Sequence, residues 1–266
     1  MGKTSTVETP LYERRLVYLR DLLCELVVRD MRLRYKRSIL GVAWSLLNPL
    51  AQLLVFSFLF RLVLPLNIPN YPSFVFTGVL AWNWFQTALF LTTGAITDNR
   101  ELIKRPGFPV AVLPVVTVTT NFIHFLLALP GLLLFIVFDG GRLTGAALLL
   151  PFVIMLQFLL ILSLGYLVAT FHVTFRDTQH LLSVFLMLLF YLTPVFYDAS
   201  ILPARYRALY NLNPMVHLIT AYRAVLIQGG LPDLRALLIL GVLVGGVLWL
   251  GYTVFTRASC HFVEEL

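Results

Sequence analysis

Residues 34–50 read RYKRSILGVAWSLLNPL. Arg34, Lys36 and Arg37 abut a stretch, 38–60, that holds no Asp, Glu, Lys or Arg. The chain therefore passes from a basic segment to an uncharged one in a single step, as it must where a helix leaves a membrane surface and enters hydrocarbon. Outward from this junction, further charge-free runs occupy 62–97, 106–138, 143–175, 178–197 and 236–256. Every run reaches the ~20 residues that a helix rising 1.5 Å per residue needs to cross ~30 Å of hydrocarbon. Composition agrees: 59% of the chain is hydrophobic, 12% is charged and the mean hydropathy is +0.86. Nothing alternates in polarity over strand-like lengths, so the backbone must satisfy itself in helices. The expectation is an all-α integral membrane protein with six transmembrane helices at about 39–63, 74–97, 110–138, 143–171, 179–197 and 235–256. These form a domain over 38–256, preceded by a segment 1–37 and followed by a tail 257–266.

Six crossings put both termini on one side, together with the loops around 98–109 and 172–180. That side carries 14 of the 20 Lys and Arg residues, which makes it cytoplasmic by the positive-inside rule. The net charge of +7 follows this topology and anionic lipid, with no nucleic-acid recognition motif visible. Cys24 and Cys260 fall at the cytoplasmic ends and imply no disulfide framework. Ahead of the first span, Thr9 and Pro10 read as an N-cap and a first helical residue. Leu16, Leu19, Leu23, Leu26 and Leu33 then recur at helical spacing between Arg15, Arg20, Arg29 and acidic residues. An amphipathic interfacial helix is expected, its leucine side inward and its arginines toward headgroups; a helix packed on a soluble partner is the alternative.

Transport coupled to protons or sodium usually needs a carboxylate within the membrane, and none of the six runs contains Asp or Glu. His124 stands alone in its run and reads as a hydrogen-bonded packing residue more readily than as a proton relay. Nucleotide hydrolysis by this chain is not expected either, since the GKT at 2–4 lacks the glycine-rich loop that would precede it in a P-loop. No cofactor or metal site is expected. Aromatic groups at Trp82, Trp84 and Phe85, and at Phe196 and Tyr197, fit either an ordinary interfacial belt or a pathway whose rings stack on sugar faces. Gly241 and Gly245 form a G-x-x-x-G of the kind that packs helices. Between 198 and 235, apolar pieces too short to cross are broken by Pro203, Pro214, Gly229, Gly230 and Pro232, which suggests two short re-entrant or interfacial helices between spans five and six.

The stretch RDMRLRYKRSILGVAWSLLNPL at 29–50, with the NRELIKRPGFP loop and LNP at 212–214, resembles the membrane subunits of type 2 ATP-binding-cassette exporters of the O-antigen and teichoic-acid polysaccharide family. The resemblance covers essentially the whole chain. It implies a transport subunit that is not itself an enzyme, with two cytoplasmic ATPase subunits that hold ATP and magnesium. It also implies an undecaprenyl-type lipid-linked polysaccharide as cargo. Under it, Asn99, Glu101, Leu102, Ile103, Lys104 and Arg105 form the coupling helix that docks on the ATPase, a basic loop that merely sets topology being the alternative. It further implies that Tyr35, Leu40, Gly41 and Trp44 help admit the lipid-linked end of the polymer, and that the pair of short helices after span five are extracytoplasmic gate helices. For Gly41 the plain alternative is that glycine only lets the chain bend. Six helices as half of a pathway would need a second copy in a two-fold dimer. A membrane-embedded transferase for lipid-linked sugars, a receptor bundle, and an exporter of teichoic acid, capsule or a lipid remain alternatives.

Overall fold

The computed structural model describes residues 11–36, 41–60, 68–141, 144–198 and 203–265. Leu40, Thr9 and Pro10 lie outside the described residues. Among those described, regular structure is helical throughout: α1 Leu11–Tyr35, α2 Trp44–Phe58, α3 Tyr71–Thr93, α4 Arg100–Ile103, α5 Val112–Phe138 and α6 Leu150–Thr174. There follow α7 Thr178–Leu192, α8 Arg207–Tyr210, α9 Pro214–Arg223, α10 Leu234–Ala258 and α11 Phe262–Glu265.

Helix α3 is the axis of the bundle. It packs against α2, α5, α6, α7 and α9, while α10 lies outside on α6 and α1 rests on α5. Most of its side chains are buried, Phe74, Phe76, Trp82 and Phe85 among them, because helices surround it on several sides. Gly78 lets that enclosure close. A Cβ there would lie 2.6 Å from the Val195 carbonyl oxygen and 2.8 Å from the Arg223 guanidinium. In return the buried Gln157 of α6 donates to the Ala81 carbonyl at 2.8 Å, a polar tie that hydrocarbon leaves unopposed by water.

Four helical stretches, Tyr71–Thr93, Val112–Phe138, Gly145–Thr174 and Leu234–Ala258, are long and apolar enough to cross a membrane. The runs expected to give the first and fifth spans behave differently, since α2 and α7 have only 15 residues each. At ~1.5 Å per residue α7 is about 22 Å long, short of the ~30 Å hydrocarbon core, while helical backbone in the first run extends from 41 through 60. The cause in α7 is local: Pro194 follows Thr193, and a residue before proline is pushed to extended backbone, here φ −102° and ψ 142°. The α2 helix starts just after Gly41, whose φ of +49° belongs to the left-handed region. That conformation alone explains a glycine at this corner.

The leucine stripe expected on α1 is only partly the packed one. Leu22, Leu23, Leu26, Val27 and Met31 meet the bundle, whereas Leu16 and Leu33 are exposed. A two-residue step from Met31 to Leu33 turns the helix by roughly 200°, onto the opposite face. Gly245 faces open space, and the close approach of α10 to α6 falls at Gly251, where a Cβ would lie 2.8 Å from the Ser163 carbonyl oxygen.

Hydrogen bonds between loops sort the helix ends into two groups. At one end Arg29 meets Asn99, and Thr174 meets Glu265. At the other, Tyr71 donates to the Phe196 carbonyl at 2.9 Å, Ser73 to Asp139 at 2.6 Å and Thr144 to the Gly229 carbonyl at 3.1 Å. The α8–α9 segment belongs to this second end. Asn213 caps α9 by accepting from the Met215 amide at 3.0 Å and also donates to Thr193 at 2.8 Å. Arg223, buried at the close of α9, donates to the Phe74 carbonyl at 3.2 Å and the Val195 carbonyl at 2.7 Å. Its guanidinium sits 3.3 Å from the centre of the Phe74 ring.

Gly78→Ala is expected to lower stability by about 1–3 kcal/mol through overpacking against Val195 and Arg223. Gly246→Ala, where a Cβ meets nothing within 4 Å, should leave the thermal midpoint in detergent unchanged or raised. Equal midpoints for the two variants would contradict the enclosure of α3.

Candidate functional site

The residues that follow the basic junction build a cavity. The end of α1, the start of α2, the middle of α3 and the first half of α5 enclose about 370 Å³ lined by Arg34, Tyr35, Trp44, Asn48, Asn83, Thr87, Asn121 and His124 with apolar neighbours. That volume falls within the range of small-ligand pockets. Asn83 and Thr87 sit one turn apart on α3, and Asn121 and His124 sit three residues apart on α5. Each helix thus turns two polar side chains toward the cavity at helical spacing.

Two side-chain bonds join α1 to α5 across the cavity wall. Arg34 donates to Asn121 Oδ1 at 3.1 Å, and the Tyr35 hydroxyl is 2.7 Å from His124 Nδ1, with the two rings edge to face. Asn121 in turn donates to the Thr117 carbonyl at 2.8 Å, which fixes the orientation of its amide. Burial raises the Tyr35 phenol above its ordinary pKa, against a smaller lowering by the Arg34 charge, so the hydroxyl keeps its proton near neutrality. When that hydroxyl donates to Nδ1, the ring proton of neutral His124 sits on Nε2. His124 Nε2 and Trp84 Nε1 are buried and have no protein partner.

Of the residues expected to admit substrate, Tyr35 and Trp44 line this cavity, and Trp44 is 56% exposed. Gly41 forms the turn beside it. Trp84 belongs to the cavity wall as well, while Trp82 and Phe85 are 0% and 2% exposed and pack inside the bundle. Phe196 and Tyr197 lie elsewhere, at the second end. Phe196 stacks with Phe56 and Phe60 at ring-centre distances of 5.3 and 5.4 Å, and Tyr197 meets Phe196 edge to face. His124 is hydrogen-bonded as its sequence reading expects, whereas the polar contributions of Asn83, Thr87 and Asn121 were not singled out there, although their spacing on charge-free runs was the available signal.

The coupling candidates form a compact element at the α1 end. Pro106 and Pro109 follow α4 closely, and Gly107 has φ +78°, so the chain turns back within a few residues. Ile103 is buried and Leu102 packs on the core, which pins the element inward. Glu101, Lys104 and Arg105 are exposed. Asn99 anchors it from both sides: Nδ2 donates to the Ala95 carbonyl at 3.0 Å, and Oδ1 accepts from Arg29 of α1 at 2.9 Å. Arg29, Arg34 and Tyr35 share one helix, so α1 physically links this element to the cavity.

An apolar bundle with at least four helices of membrane-crossing length, a recess lined by both polar and apolar side chains and a short element exposed at one end is that of a multi-pass membrane protein. The ABC-2 type transporter family matches residues 21–227. The chain is 38% identical over 255 residues to the O-antigen export system permease protein RfbA of Myxococcus xanthus, covering 95% of this chain and 98% of that one. It is 30% identical over 254 residues to the protein of the same name from Klebsiella pneumoniae, at 94% and 97% coverage. It is 26% identical over 209 residues to the polysialic acid transport protein KpsM of Escherichia coli, at 77% and 80%. The chain belongs to the ABC-2 type transporter family. As a permease of that family it is a transport subunit, and ATP hydrolysis resides in separate subunits.

Tyr35→Phe is expected to cost about 1–3 kcal/mol by leaving a buried His124 nitrogen without its partner. In a double-mutant cycle with His124→Phe, the two losses should be less than additive. Additive changes in thermal midpoint would show that the pair does not interact.

Proposed function

We propose that the chain carries a lipid-linked polysaccharide of the O-antigen type out of the cytoplasm, as one half of a homodimeric pathway in a bacterial inner membrane. Two ATPase subunits supply the energy, and ATP with magnesium is bound there. The observation that carries this reading is the 38% identity to an O-antigen export permease over nearly the full length of both chains, which includes every segment of the cavity and the coupling element. The polysialic acid transport protein, matched over a shorter stretch at 26%, supports polysaccharide as the broader cargo class.

On this reading all six apolar helices cross, and both termini with α1, α4 and α11 face the cytoplasm. The excess of Lys and Arg at that end supports this orientation. Glu101, Lys104 and Arg105 enter a groove of the ATPase, and α4 transmits its movement. Because Asn99 is bonded to Arg29, a shift of α4 is passed to α1 and so to Arg34 and Tyr35 at the cavity. Tyr35, Leu40, Gly41 and Trp44 frame the loading site for the lipid-linked end. At the opposite face α8 and α9 act as gate helices held by Arg223, with Phe196 and Tyr197 flanking the way out. A chain that slides past aromatic rings needs no tight site for any one sugar.

Reconstitution of the chain with its ATPase in proteoliposomes tests the proposal. The complex should move a polyprenyl-linked glycan at the expense of ATP, and the chain alone should hydrolyse none. Arg29→Ala or Glu101→Lys, both at exposed positions, should preserve assembly and basal hydrolysis yet cut glycan-stimulated hydrolysis and export by about tenfold, the scale of a 1.4 kcal/mol coupling term. Full export by both variants would remove the coupling route, and absence of glycan transport by the wild-type complex would remove the function.

A further inference from the structure

Among the described residues, the cavity between α1, α2, α3 and α5 carries at its edge a cation, the exposed Arg34, with no counter-ion beside it. Among the described residues the ion pair present is Arg20 with Asp21 on the surface of α1, and no Asp or Glu lines the cavity. Arg34 satisfies itself on a neutral carboxamide, the Oδ1 of Asn121 at 3.1 Å. Charged acceptors make hydrogen bonds roughly twice as strong as neutral ones, and the planar guanidinium matches the paired oxygens of a phosphate. Trp84, 4% exposed, contributes an indole N–H that can only donate and has no acceptor in the protein. His124, 9% exposed, adds a second unpartnered ring nitrogen. Asn121, 4% exposed, engages the Thr117 carbonyl through its amide nitrogen, which leaves one of the two amide protons for another acceptor. One positive charge and several N–H donors without a negative group suit an anion rich in acceptors. Beside Asn48, Asn83 and Thr87, which can donate or accept, the lining includes the apolar Pro49, Leu80 and Phe125 and the indole of Trp44, so the site also suits the apolar part of an amphiphile.

We infer that this cavity is the subsite for the phosphate or diphosphate that joins the cargo to its lipid carrier. Arg34 exchanges the Asn121 carboxamide for phosphate oxygens, and the N–H groups of Trp84, His124 and Asn121 complete the cradle. The identity of the ligand as a carrier lipid rests on the export reading; the recognition of phosphate rests on the cavity alone. Exchange at Arg34 also loosens one of the two α1–α5 bonds, so occupancy is felt by the same helix that contacts Asn99.

The test uses the full chain in phosphatidylcholine nanodiscs, with a polyprenyl diphosphate, the matching polyprenol and inorganic pyrophosphate as probes. The polyprenyl diphosphate should bind, and the polyprenol should bind at least about tenfold more weakly, as expected when charged hydrogen bonds are lost. Arg34→Gln should lose about tenfold or more for the diphosphate lipid, Arg34→Lys less, and Arg257→Gln, exposed at the end of α10 and outside the cavity, nothing. Trp84→Phe removes the unpartnered N–H together with part of a ring that stacks on Phe125, so its thermal midpoint is read beside its binding; a folded variant that binds several-fold more weakly is the expected result. Equal binding of lipid diphosphate and polyprenol, or unchanged binding by both Arg34→Gln and Trp84→Phe, overturns the site. Pyrophosphate binding as tightly as the lipid form overturns the carrier assignment. Export measured in parallel separates the two readings. Normal export by Arg34→Gln sinks the subsite while the exporter stands, and intact, Arg34-dependent head-group binding without any glycan export sinks the exporter while phosphate recognition stands.

Discussion

Everything in this bundle is arranged around a helix that must be buried from several directions at once. An isolated apolar helix gains nothing by leaving lipid for protein, because the tails are as apolar as its own side chains. What holds α3 inside is therefore contact quality and the few polar ties that lipid cannot replace. Gly78 lets the Val195 backbone and Arg223 approach, and Gln157 and Arg223 reach α3 carbonyls at Ala81 and Phe74. The cavity exists where that enclosure is incomplete, at the level of Asn83 and Thr87, and α1, packed on the bundle through Leu26, Val27 and Met31, ends over it in two hydrogen bonds to α5. A door held by polar bonds in a polar recess can exchange partners; one held by leucines could not.

The same distinction explains what the sequence disclosed. Runs without charge located the helices, since the cost of placing Lys, Arg, Asp or Glu in hydrocarbon acts on every span alike. Proline marked ends: Pro194 stops α7 and Pro214 opens α9. The corner at 34–50 was legible because charge, glycine and tryptophan changed together there. Faces were not legible. When a helix is apolar all round, its pattern has no period to say which side meets protein, so Trp82 and Phe85 read as candidates for a pathway although they are sealed within the protomer. In the G-x-x-x-G a Cβ at Gly241 would meet Leu156 of α6 at 3.8 Å and one at Gly245 nothing, while the closest approach to α6 falls at Gly251, a difference that spacing does not show. His124 was set aside as a lone histidine; its neighbours Tyr35 and Arg34 lie on a helix some ninety residues away, a separation no local spacing reveals.

The length of α7 carries a consequence for the surrounding bilayer. Leu181, Val184, Leu188 and Leu192 present exposed apolar surface along it. At about 22 Å against a hydrocarbon core of ~30 Å, the helix falls roughly 8 Å short. Where α7 crosses, lipid against it thins to match, at a fraction of a kcal/mol per Å. A headgroup beside α7 then has a shorter dry distance to travel than one beside a helix of full crossing length.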